Sequence, residues 1–117
     1  MVTNACRNES MDRLKQLVAF HEEDPDDSFV RFALAMEYIK LARLEEAKRV
    51  FKELVEHDPE YVGTYYHLGK LYETLGDTSS ALKIYREGIQ VSTAASDQHS
   101  KAELQSAMLE AEGIGFD

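Results

Sequence analysis

Metal binding, nucleophilic attack or proton transfer in this chain would fall to four histidines, one cysteine and its many carboxylates. The histidines are His21, His57, His67 and His99. None stands four residues from another, and no H-E-x-x-H occurs, so the helical two-histidine zinc site is absent. Cys6 is alone. It has no partner for an internal disulfide, no Cys/His spacing that reads as zinc, and no organised surroundings that would make it a nucleophile. The acidic cluster Glu22, Glu23, Asp24, Asp26 and Asp27 invites a calcium test. A calcium loop of the helix–loop–helix kind needs glycine at its sixth place and a bidentate glutamate at its twelfth. Counted from Asp24, those places hold Phe29 and Ala35. The acids are better read as caps in a solvated turn. His21 and His57 stand near predicted helix C-termini, where a histidine favours the last carbonyls. No phosphate loop, dinucleotide fingerprint or nucleophile elbow is present. No catalytic, cofactor-binding or metal residue is therefore assigned, and an enzyme is the remote alternative.

With so little chemistry in single residues, the elements carry the information. Two prolines and six glycines in 117 residues favour long helices over many short strands. Hydrophobic residues make up 44% and charged residues 30%, ordinary for one soluble domain. The formal net charge of −9 repels phosphate backbones, so nucleic acid and anionic membrane are poor partners. Acidity either favours a basic or neutral partner or serves solubility alone. The sequence shows no apolar run of membrane-spanning length and no signal-peptide core. With a single thiol, a cytoplasmic location is the expectation.

An internal repeat organises the chain. At an offset of 34 residues, Leu34 falls on Leu68, Tyr38 on Tyr72, Leu41 on Leu75, Ala47 on Ala81 and Glu53 on Glu87. Ala35 meets Gly69, Val50 meets Ile84, Phe51 meets Tyr85 and Val55 meets Ile89. Upstream, Pro25 falls on Pro59, Asp24 on Asp58 and Leu17 on Phe51. This is the length of one helix–turn–helix unit. The pattern predicts helices over about 10–23, 27–41, 44–57, 62–75, 78–91 and 98–112. Asp24-Pro25 and Asp58-Pro59 break the chain, since the residue before proline avoids the helical region. Asp26 or Asp27 and Asp77 or Thr78 are the expected caps. Gly76 suits a left-handed turn, and its counterpart is Ala42; a left-handed alanine costs on the order of 1 kcal/mol. In the first helix Leu14, Leu17, Val18 and Phe20 are expected on one face. Ser92 to Asp97 read as a linker. Residues 1–9 read as a mobile tail, with Met11 as an alternative start, and 113–117 as a second tail on which Ile114 and Phe116 could dock back.

The stretch YYHLGKLYETLGDTSSALKIYREGI closely resembles a tetratricopeptide repeat, through Tyr65, Leu68-Gly69, Tyr72, Ala81, Tyr85 and Gly88. The preceding unit matches at Leu34-Ala35, Tyr38, Ala47, Phe51 and Pro59. It departs at Arg31, where an aromatic is expected, and at Leu54, where a small residue is expected; Thr93 stands where the second unit's closing proline belongs. The resemblance covers about 11–93. It implies an all-α, right-handed α-solenoid of stacked antiparallel helix pairs, about six helices in one domain over 10–112. Its parts are a half-repeat helix (10–24), two repeats (26–59 and 60–93) and a capping helix (97–112).

The resemblance further implies that the first helix of each unit lines a concave face. Once the packing positions are removed, that face holds Phe29, Phe32, Met36, Ile39 and Lys40 in the first unit, and Gly63, Tyr66, Lys70, Glu73 and Thr74 in the second. The expected groove is Phe29, Phe32, Met36, Lys40, Tyr66, Lys70 and Glu73, which suits an apolar peptide or a partner helix. Phe29 or Phe32 could instead fill the gap left at Arg31, and the three charges could be merely solvated. Some family members grip a C-terminal carboxylate with lysines and asparagines. Here only Lys70 fits that role, so a strongly acidic peptide is unsuited. The implied function is a non-catalytic protein-interaction module, with a self-associating homodimer as the alternative.

Overall fold

The computed structural model describes the backbone of residues 2–113 and the side chains of residues 11–113. It contains six helices and, among the described residues, no strand: α1 (Val2–Glu23), α2 (Ser28–Lys40), α3 (Leu44–His57), α4 (Gly63–Thr74), α5 (Thr78–Ala94) and α6 (Gln98–Glu112). The all-α helical-repeat class expected from the 34-residue offset is what forms. The helices fall into two compact units, Met1–His57 and Asp58–Asp117.

In the first unit α2 packs against both α1 and α3. Asp27 caps α2, its carboxylate accepting from the Val30 N–H at 3.2 Å, and Asp24 likewise holds the Asp26 N–H at 3.3 Å. The acids of this turn thus satisfy backbone donors. Ala42 takes φ 59°, as its alignment with Gly76 required, and the Arg43 N–H reaches back to the Tyr38 carbonyl at 2.8 Å. That bond closes the helix end with the geometry usually given to glycine. Leu14, Leu17, Leu34, Ala35, Tyr38, Ala47, Val50, Phe51 and Leu54 form the core.

In the second unit α4 packs on α5, and α6 packs on both. Gly76 at φ 81° repeats the closure, with the Asp77 N–H on the Tyr72 carbonyl at 2.9 Å. Asp77 caps α5 through the Ser80 N–H at 3.1 Å. Asp97 caps α6 through Ser100, whose N–H and hydroxyl hold the Asp97 carboxyl below its ordinary value.

Gly69 and Gly88 are where the unit's helices meet. A Cβ on Gly69 would stand 2.1 Å from Cε1 of Tyr85, and one on Gly88 would stand 2.5 Å from Cβ of Tyr65 and 2.9 Å from Leu104. The first unit carries Arg31 where the second carries Tyr65, and Leu54 where the second carries Gly88; both Arg31 and Leu54 are buried.

Three expectations need correcting. Helix α1 starts at Val2 and not near Ser10. The first ten residues show no apolar periodicity, but they also contain no proline or glycine to stop a helix. Phe20 is 52% exposed, because the buried face of α1 runs through Leu14, Leu17 and Val18 to His21, and Phe20 lies one residue off it. The linker is also shorter than read. Helix α5 continues to Ala94, Ser92 is buried with its hydroxyl donating to the Gly88 carbonyl at 2.8 Å, and the turn is made by Ser96 at φ 58°. A small polar residue that bonds back to its own helix reads as linker in a sequence and as helix in a fold. Ile114 and Phe116 lie outside the described residues.

Candidate functional site

Each unit carries a cleft beside its first repeat helix. In the first unit the cleft lies between α1 and α2. It measures about 520 Å³ and is lined by Arg13, Phe29, Phe32, Ala33, Met36, Glu37 and Lys40. All four groove residues expected on α2 therefore line one cavity. The alternation of buried and open positions follows from helical period. Leu34, Ala35 and Tyr38 turn to the core, while Phe29, Phe32, Met36 and Lys40 fall at spacings of three and four along the remaining stripe.

The two phenylalanines have different fates. Phe32 is half-buried and meets Phe51 edge-to-face, ring centroids 5.9 Å apart. Phe29 is 69% exposed. Lys40 is exposed at the rim. Two further residues, missed in the sequence, complete the wall. Glu37 is 5% exposed, and one carboxylate oxygen, Oε1, lies 3.2 Å from Nε of Arg13 on α1. The other, Oε2, is buried without a hydrogen-bond partner. No spacing rule links positions 13 and 37, since only the packing of two helices brings them together.

In the second unit the cleft lies between α4 and α6, measures about 380 Å³, and is lined by Tyr66, Lys70, His99, Ala102, Glu103, Ser106, Ala107 and Glu110. Tyr66 is half-buried. Lys70 sits over its ring, Nζ 5.6 Å from the centroid, and lies 3.7 Å from Glu110 and 3.8 Å from Glu73. Glu73, expected in the groove, also accepts a hydrogen bond from the Tyr85 hydroxyl. Burial first, and then that carboxylate, push the Tyr85 hydroxyl above its ordinary range, so Tyr85 stays protonated and donates. Glu73 thus serves the packing of α4 on α5 and is not among the cleft-lining residues, whereas Tyr66 and Lys70 are.

His67 stands edge-on to Tyr66, centroids 5.5 Å apart. Burial pushes its imidazole below the ordinary 6.5, with Glu103 acting weakly in the opposite sense. Above that ordinary value both folded and unfolded chains carry a neutral His67, and the residue does not make stability depend on pH. As the pH falls below 6.5 the unfolded chain protonates first, so stability is lost until the lower folded value is passed. Thermal melting between pH 7 and pH 5 should therefore decline less steeply for His67→Gln than for the wild type; parallel declines would contradict the assignment.

Among the described residues there is no cluster of histidine, cysteine, aspartate and glutamate able to hold a metal ion. No helix among them is long and apolar enough to cross a membrane. What both clefts present is shape, aromatic surface and a few charges.

Comparison with known proteins agrees with the geometry. The family model described as tetratricopeptide repeat matches residues 30–61 and 62–94, more than half of the chain. The solution structure of a tetratricopeptide repeat domain protein from Salinibacter ruber is 50% identical, covering 80% of this chain and 95% of its own, with a TM-score of 0.75. The fold is also shared with the TPR2B domain of yeast Sti1, solved as a complex with pHsp70: TM-score 0.83, 17% identity, 94% of this chain and 88% of that one. PcrH in complex with the chaperone binding region of PopD gives a TM-score of 0.82 at 15% identity, over 96% of this chain and 85% of that one.

Proposed function

The chain belongs to the tetratricopeptide repeat family, generally a non-catalytic protein-interaction fold, and we propose that it binds partner-protein segments on the open face of α2 and on the open face of α4. The observation that carries this reading is the α2 face. Phe29 at 69% exposure, with Phe32 and Met36 behind it, leaves an apolar surface along a helix whose opposite side is already committed to the core. Exposed aromatic and methionine side chains in a cleft are costly in water and rewarding under a partner. Tyr66 gives α4 a comparable anchor. The Sti1 and PcrH complexes support the reading, since proteins of this fold are solved there with bound partners.

Each face takes a peptide or a single helix of the partner, by apolar contact with Phe29, Phe32 and Met36 on α2 and with Tyr66 on α4. Lys40 and Lys70 set its orientation. The chain itself is not an enzyme on this reading, and a cytoplasmic setting fits its single cysteine. Capture from a lysate of the source organism tests it. A partner retained by the wild type should be lost from Tyr66→Glu and Phe29→Glu, with helicity and melting nearly unchanged in both, because these side chains lie outside the core. Retention of the same partner by both variants would mean that another surface binds. A mass twice the monomer that persists on dilution, with no partner retained, would turn the reading towards self-association.

A further inference from the structure

The wall of the α1–α2 cleft contains an unfinished ion pair. Glu37 is 5% exposed and its Oε2 has no hydrogen-bond partner, a costly state for a carboxylate oxygen, since buried polar atoms are ordinarily paired. Among the described residues the cation on Glu37 is Arg13, which offers one nitrogen to Oε1 at 3.2 Å and whose side chain is 63% exposed. A long exposed side chain making one contact on a buried acid is readily displaced. A guanidinium approaching along the cleft could take both oxygens at once, the bidentate geometry that a carboxylate best accepts.

We propose that the α1–α2 cleft receives one arginine of the partner segment, its guanidinium replacing Arg13 on Glu37 while neighbouring apolar residues lie on Phe29, Phe32 and Met36. This rests on the partner-binding reading and specifies its chemistry. The net charge of −9 favours the approach of a basic segment. Lys40 lines the same cleft, so a segment with a single arginine among apolar residues fits better than a polybasic one.

The test uses the full chain, isotope-labelled for amide NMR, titrated with a blocked leucine–arginine–leucine tripeptide amide and with its glutamine counterpart. The arginine peptide should shift amides of α1 and α2 saturably and bind about tenfold more tightly than the glutamine peptide, the gain typical of a charge-assisted hydrogen-bond pair. Glu37→Gln should erase that difference. Arg13→Ala, which removes the internal competitor, should tighten the arginine peptide and leave the glutamine peptide unchanged. If Arg13 only clamps α1 to α2, its loss would bring no such gain, and the proposal would be overturned. Equal binding of the two peptides, or no binding of either, overturns it as well. Those outcomes leave the partner-binding reading standing if Tyr66→Glu still loses the captured partner.

Discussion

Gly88→Ala is expected to destabilise the α4–α6 unit by about 3 kcal/mol, the upper end of ordinary overpacking. The added carbon would sit 2.5 Å from Cβ of Tyr65 and 2.9 Å from Cδ1 of Leu104. Cβ of Tyr65 is fixed to the backbone of α4 and cannot swing away. The ring beyond it is tied by its hydroxyl to the Pro59 carbonyl. Relief must come from moving whole helices, which close packing resists. For a unit of this size the melting temperature should fall by about 15 °C. At the matching place in the first unit a leucine is fully buried, so the intolerance belongs to the close packing of the second unit and not to the repeat position itself. A loss under about 1 kcal/mol, well below the overpacking range, would show that α4 and α5 are further apart than described.

Leu104→Ala is expected to cost a similar amount, about 3 kcal/mol, through the cavity it leaves. Leu104 is 1% exposed, and it and Ala107 are the two buried residues of α6. The helix therefore hangs on very few side chains, and the ion pair of Lys70 with Glu110, half-exposed, adds little. Losing Leu104 should loosen α6 before α5, so amide exchange across Gln98–Glu112 should accelerate more than across α5. Chemical denaturation gives the magnitude and amide exchange gives the order. Unchanged protection of α6 would mean that contacts other than Leu104 hold it.

Most of the helix pattern was legible because breaks and burial leave marks in sequence. Asp24-Pro25, Asp58-Pro59 and Gly76 stop helices for local steric reasons. The offset of 34 residues then carried Gly76 onto Ala42, whose φ of 59° no propensity would suggest. Ser96 has no such partner, and the small polar residues around it signal only a linker. The burial of Ser92 depends on a hydroxyl returning to the Gly88 carbonyl, a bond with no sequence signature.

The candidate site was legible to the extent that it follows helix faces. Phe29, Phe32, Met36 and Lys40 line one cleft because three- and four-residue spacing puts them there. Glu37 and Arg13 escaped notice because their relation spans two helices, and charged residues are normally read as surface. The bond between Tyr85 and Glu73 likewise spans two helices, so nothing in the sequence signals that the Glu73 carboxylate is taken up by packing.

The most direct measurement is amide NMR mapping on the isotope-labelled chain with the captured partner segment added. Shifts concentrated on Ser28–Lys40 and Gly63–Thr74 are the predicted result, with Phe29 and Tyr66 among the largest. Shifts concentrated on α3 and α5, with those two helices silent, would contradict it.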